Sequence, residues 1–85
     1  MTTDEIRPIV KKYLLAEFLE GADEDELEDS TPLISSGIID SISTTRLVAF
    51  LEEEFGVTFE AHEMGVDYID TLESISELVA TKKAS

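Results

Sequence analysis

Apolar positions along the chain fall into three stripes at helical spacing, separated by two stretches without a period. Ile6, Ile9, Val10, Tyr13, Leu14 and Phe18 recur at steps of three and four, predicting a first helix with one face turned to a core. Thr2 or Thr3 can cap it, Pro8 falls within its opening turns, and Gly21 is the expected stop. With about 100° of rotation per residue, Thr44, Leu47, Val48, Leu51 and Phe55 share one face, with Phe50 at its edge. They predict a second helix over residues 40–55, halted by Gly56. The third stripe is Leu72, Ile75, Leu78 and Val79, opened by an apparent capping box in which Asp70 is followed three residues later by Glu73. Lys82 and Lys83 lie near its C-terminal end, where the helix dipole favours cations.

The intervening stretches are informative too. "ADEDELEDSTPLISSG", residues 22–37, is acidic and rich in turn formers, and reads as a long loop. Loops beyond about 12 residues are uncommon in compact domains unless something pins them. Leu27, Leu33, Ile34, Ile38 and Ile39 are the expected pins. The acidic cluster does not make an EF-hand: counted from Asp23, Glu28 stands where that loop needs glycine and Ile34 where it needs a bidentate glutamate. Val57 to Phe59 reads as an extended link with inward side chains, and a short helical turn is expected around residues 66–69. The resulting expectation is an all-α fold of three longer helices and one short third helix around one core, with a long first loop.

Charge and composition narrow the function. At 85 residues the chain makes one small domain, residues 1–85, burying only about 60% of its unfolded surface. Twenty acidic residues against six basic ones give a net charge of -14. That excess disfavours nucleic acid and anionic membrane, which attract cationic proteins, and favours basic partners met in fast, salt-sensitive encounters. The start, "MTTDEIRP", lacks a signal-peptide pattern, and no apolar run approaches the roughly 20 residues of a membrane span, so a cytoplasmic protein is expected, with a monomer as the default state. There is no cysteine, so any thiol chemistry must come from an attached group.

Candidate chemistry gathers in "SGIIDSISTTRL". Asp40 suits the N-cap of the second helix, which makes Ser41 its first helical residue. A nucleophilic serine needs a base and an orienting acid, yet the chain has one histidine, His62, in a polar stretch, and no G-x-S-x-G elbow. No carboxylate–histidine set has metal-ligand spacing either, so intrinsic catalysis is not expected. As an acceptor Ser41 is better placed. A phosphate ester there meets the positive end of the helix dipole, worth about 0.3–1 kcal/mol near a surface. The dipeptide alone is weak, because Asp29-Ser30 repeats it with Thr31-Pro32 behind it and no helix follows. What distinguishes Ser41 is its setting. Ile42 is an apolar residue opening an otherwise polar helix face made by Thr45, Arg46, Ala49, Glu52 and Glu53.

The run "TPLISSGIIDSISTTRLVAFLEEEFGV" resembles the phosphopantetheine-attachment region of acyl and peptidyl carrier proteins. The shared pattern is Gly37, two aliphatics, Asp40-Ser41-Ile42, then a helix ending in Glu52 to Glu54, Phe55 and Gly56. "DYIDTLESISELV" is similar to the carriers' short third helix and the opening of their fourth. The resemblance implies an acyl-carrier-like four-helix bundle. It implies that Ser41 takes a 4'-phosphopantetheine arm from coenzyme A through a separate phosphopantetheinyl transferase, with Asp40 as helix cap near that enzyme's metal. It further implies that Gly37, Ile38, Ile42, Thr45, Arg46, Ala49, Glu52 and Glu53 meet partner enzymes: an adenylating ligase or acyltransferase that loads cargo, and tailoring or condensing enzymes downstream.

Cargo is read from a departure. Fatty-acid carriers bear acidic residues just after the modified serine, where this chain has Ser43, Thr44, Thr45 and Arg46. "DSTPL" and "DYIDTLESI" look closer to stand-alone carriers that load an amino acid, such as prolyl or D-alanyl carriers. Aminoacyl or specialised short acyl cargo is therefore favoured over fatty-acid or polyketide cargo. An unmodified acidic adaptor using the same helix face is the alternative of a different class.

Overall fold

The computed structural model describes residues 2–19, 21 and 23–84, without the side chain of residue 24. Its elements are α1 (Thr3–Glu17), α2 (Ser41–Phe55), the short α3 (Val66–Ile69) and α4 (Leu72–Ala84), with single 3₁₀ turns at Glu24–Glu26 and Ala61–Met64. No strand occurs among the described residues, so the architecture is the all-α four-helix bundle that the three stripes predict.

The longer helices bury most of the face their sequence marks. In α4, Leu72, Ile75 and Val79 are buried as expected, while Leu78 is half-buried and Ser76 is buried instead. In α1, Ile6, Val10 and Leu14 are buried one turn apart, and Thr2 is the N-cap, its N–H reaching the Glu5 carboxylate at 3.0 Å. Pro8 lies inside this helix on its exposed side. The helix ends at Glu17, before the expected stop, with the Phe18 N–H bonded to the Leu14 carbonyl. Gly21, with φ 88°, therefore serves the following loop and not the helix end. In α2 the buried set is Thr44, Leu47, Val48, Leu51 and Phe55, as the periodicity predicts. Gly56 closes α2 with φ 68°, its N–H on the Glu52 carbonyl. The half-buried Phe50 stacks on Tyr13 of α1, ring centroids 3.9 Å apart and planes 9° apart.

The long loop is pinned as its apolar residues predict. Leu27, Leu33 and Ile39 are fully buried, and Ile34 and Ile38 are half-buried against the same core. Beyond α2, Phe59 is buried, Val57 half-buried and Thr58 exposed, so the extended link alternates in and out.

The opening of α4 differs from expectation. Its cap is Thr71 and not Asp70: the Thr71 hydroxyl oxygen accepts the Ser74 N–H at 3.0 Å. One residue of offset moves the cap, and the Asp70 carboxylate turns to the long loop instead. The two lysines at the other end of α4 also leave their own helix. Lys83 Nζ donates to the Phe55 carbonyl at the end of α2, and Lys82 Nζ donates to the Thr58 carbonyl and Glu63 Oε1, each at 2.7 Å.

Candidate functional site

The chain enters α2 through a tight turn. The Gly37 N–H donates to the Ile34 carbonyl at 3.1 Å, and the Ile39 N–H returns to the Leu33 carbonyl at 3.0 Å. Gly37 has φ 86°, a left-handed conformation that a residue with a Cβ adopts only under strain. Ile39 then drops into the core and leaves Asp40 extended at the surface, φ -91° and ψ -175°.

Asp40 caps α2 as its sequence predicts. Its Oδ1 accepts the Ser43 N–H at 2.7 Å, and its carbonyl accepts the Thr44 N–H and hydroxyl, each at 2.8 Å. The Ser43 N–H, helped by that residue's hydroxyl, holds the Asp40 carboxyl below its ordinary range. Ser41 is the first residue of α2 and is exposed. Its side chain lines an open groove of about 200 Å³ together with Ile34, Thr44, Thr45 and Met64. An accessible hydroxyl at a capped helix start, with a partly apolar trough alongside, fits a flexible phosphodiester-linked arm.

Around that hydroxyl the polar face of α2 is mixed in its behaviour. Ile42 is 75% exposed, and Thr45, Arg46, Ala49 and Glu53 are exposed with it. Gly37 is exposed as well, whereas Ile38 packs against the core. Glu52 is half-buried, its Oε2 accepting the Phe59 N–H at 2.8 Å, so it holds the link after α2. Arg46 is bound to α1: its guanidinium lies 3.1 Å from Glu17 Oε2 and 5.9 Å from the centre of the Phe18 ring. The positive charge of Arg46 is therefore paired within the molecule while its side chain stays exposed.

His62 does not line the Ser41 groove. It stands 3.6 Å from a Glu60 carboxylate oxygen and meets Tyr68 edge to face at 5.7 Å.

Asp70, read from sequence only as a helix cap, belongs to this site's surroundings. Its Oδ1 accepts the N–H groups of Ile34 at 2.7 Å and Ser35 at 2.9 Å, and its Oδ2 accepts the Ser35 hydroxyl at 2.8 Å. Its backbone carbonyl takes the Leu33 N–H at 2.6 Å. Burial, the largest single influence on this carboxyl, would raise it, but the Ser35 and Ile34 donors together hold it below its ordinary range. Ile34 and Met64, the groove's apolar walls, were also invisible as site residues, since no local pattern brings either to Ser41.

Residues 13–80 match the sequence model of the family described as "Phosphopantetheine attachment site". The chain belongs to that family, whose carrier domains bear a covalently attached 4'-phosphopantetheine and are themselves non-catalytic, receiving the arm from a transferase. Among solved structures it is similar to a chain from one described as "Crystal structure of FAD-dependent dehydrogenase". That likeness has 30% identity and a TM-score of 0.73, over 82% of this chain and 97% of the other. No curated protein matches the chain. It is a phosphopantetheine carrier protein, and among its described residues no helix is long and apolar enough to cross a membrane.

Proposed function

We propose that Ser41 is the attachment point and that this carrier presents an aminoacyl or short specialised acyl group to successive enzymes. One observation carries the assignment: Ser41 is an exposed hydroxyl at the capped start of α2, opening onto its own groove. When bound, the arm supplies the thiol that a cysteine-free chain lacks, and cargo is held on it as a thioester. The chain's residues do the rest. Asp40 fixes the helix start and keeps Ser41 turned outward, while Thr44 and Thr45 give the groove polar edges beside Ile34 and Met64.

Loading is assigned to an adenylating ligase, consistent with an outer α2 face that lacks the acidic run of fatty-acid carriers. The likeness to a chain from a flavin-dependent dehydrogenase structure supports such an enzyme among the downstream partners. A thioester acidifies the adjacent carbon of its acyl group, which suits removal of a proton there and a hydride to flavin from the neighbouring carbon. Net acidity steers the carrier to basic patches on these enzymes.

Intact mass after incubation with coenzyme A and a broad-specificity phosphopantetheinyl transferase tests the attachment. The wild-type chain gains one phosphopantetheine, and Ser41→Ala gains nothing. A gain retained in Ser41→Ala would place the arm elsewhere. Incubation of the loaded form with labelled amino acids and adenylating enzymes should leave hydroxylamine-labile label on the protein, and label found only with acyl-loading enzymes would move the cargo to the fatty-acid or polyketide class.

A further inference from the structure

We propose that Asp70 is the positioning residue of the attachment site: it fixes the turn carrying Ile34, and with it the groove wall that the transferase meets beside Ser41. The proposal rests on Ser41 as the attachment point. Asp70 accepts four hydrogen bonds from three consecutive residues, Leu33, Ile34 and Ser35, which lie some 35 positions earlier in the chain. Capping α4 requires none of the three made by the carboxylate, since Thr71 already caps it. Both carboxylate oxygens are spent on the loop. An ionised acceptor makes such bonds about twice as strong as a neutral one.

From there the connection to Ser41 is continuous. The Ile34 N–H is held by Asp70, and the Ile34 side chain lines the groove with Ser41. The Ile34 carbonyl takes the Gly37 N–H, the Leu33 carbonyl takes the Ile39 N–H, and Asp40 and Ser41 follow directly. Without the carboxylate, two backbone N–H groups of a tight turn lose their acceptor and must turn to water. The turn then loosens where the groove wall and the entry to α2 are set. The α2 cap itself stays, because Asp40 makes it locally. Loss of Asp70 should therefore impair recognition of the site and leave the reactivity of its hydroxyl alone.

The test measures initial rates of arm transfer to the full chain against carrier concentration, for wild type, Asp70→Ala, Asp70→Asn and Ser35→Ala. All are assayed where circular dichroism shows them folded. Asp70→Ala should raise KM for the carrier on the order of tenfold with kcat little changed, the equivalent of one net hydrogen bond. Asp70→Asn keeps a neutral carbonyl oxygen for the two N–H groups and should recover about half of that loss in free energy, leaving KM about threefold raised. Ser35→Ala, which removes only the hydroxyl contact, should raise KM about two- to threefold, on the scale of a fraction of one hydrogen bond. A purely structural role would lower the melting temperature and leave KM of the folded protein where it was. Unchanged KM in Asp70→Ala, or no recovery in Asp70→Asn, overturns the proposal. If Asp70→Ala does not fold, an unchanged KM in Ser35→Ala does so.

Amide resonances of the arm-free protein separate this idea from the attachment reading. Asp70→Ala, or Asp70→Asn should that variant not fold, should move the amides of Ile34, Gly37 and Ser41 and spare those of Glu53 to Phe55. A wild-type chain that takes no arm overturns the attachment; a Ser41 amide that does not move overturns the role of Asp70.

Discussion

The two non-helical segments that flank α2 are held by the same helix region in opposite chemical styles. Before α2, the turn at residues 33–35 hangs on an aspartate at the entry to α4, by a carboxylate that accepts from backbone N–H groups. The Asp29 carbonyl adds a bond from the Glu73 N–H at 3.1 Å. After α2, the end of the helix and the link that follows it hang on the far end of α4, by ammonium groups that donate to the Phe55 and Thr58 carbonyls. Both solutions give backbone polar groups at the surface a fixed partner within the molecule. They differ in neighbourhood. The carboxylate end borders the groove beside Ser41, and the lysine end holds the stop of α2, the link after it and Glu63. The entry and far end of α4 thus brace both ends of α2, and only one brace borders the groove beside Ser41.

The hydrophobic anchors of the two segments give the largest expected effects. Leu33 is fully buried and Phe59 nearly so. Leu33→Ala should cost about 2–5 kcal/mol and Phe59→Ala about 3–5 kcal/mol by chemical denaturation. A loss below about 1 kcal/mol for Leu33→Ala, the scale of a surface change, would mean that the first segment merely lies on the core.

Acid should weaken both braces. Asp70 and Asp40 on one side, and Glu63 beside Lys82 on the other, have carboxyls held below their ordinary values of 3.8, 3.8 and 4.5. For Glu63 the Glu60 N–H is the main cause, with Lys82 next. A carboxyl lower in the folded state than in the unfolded chain favours folding fully above the unfolded value. That contribution fades as pH falls through the folded value. The difference in melting temperature between wild type and Asp70→Asn should accordingly shrink below about pH 4.5, on the scale of ordinary carboxyl titration. Carboxyl-carbon titration by NMR checks the assignment, and an Asp70 that titrates at or above 3.8 would remove it from the brace.

The smallest effect separates two adjacent residues. Thr71→Ala should destabilise the domain by about 1 kcal/mol through loss of the α4 cap. It should leave the transfer kinetics at Ser41 untouched, in contrast to Asp70 next to it. A matching change in KM would show that the cap and the loop anchor are one device.

What was legible in the sequence was local or periodic. The α2 stripe, the Asp40 cap and the placement of Ser41 all depend on residues within a few positions of one another, so pattern alone locates them. Asp70 shows where that fails. D-x-x-E matches a capping box, yet a threonine one residue later takes the cap, and the freed carboxylate finds donors some 35 residues away. Helix spacing puts Glu52 and Arg46 on the outward face of α2. Both are long enough to reach back, to the Phe59 N–H and to Glu17, and spacing does not record reach. The 3₁₀ turns carry too few residues to show a period, and α1 ends before the glycine expected to end it.

Ile42 stands out in the water with three-quarters of its surface uncovered, one step from the hydroxyl. Carried into a pocket, such a side chain yields about 1.5–3 kcal/mol, or roughly ten- to a hundredfold in dwell time. That is enough for an enzyme to notice the visitor and too little to detain it. A courier that must knock at several doors is well served by a handshake of this strength.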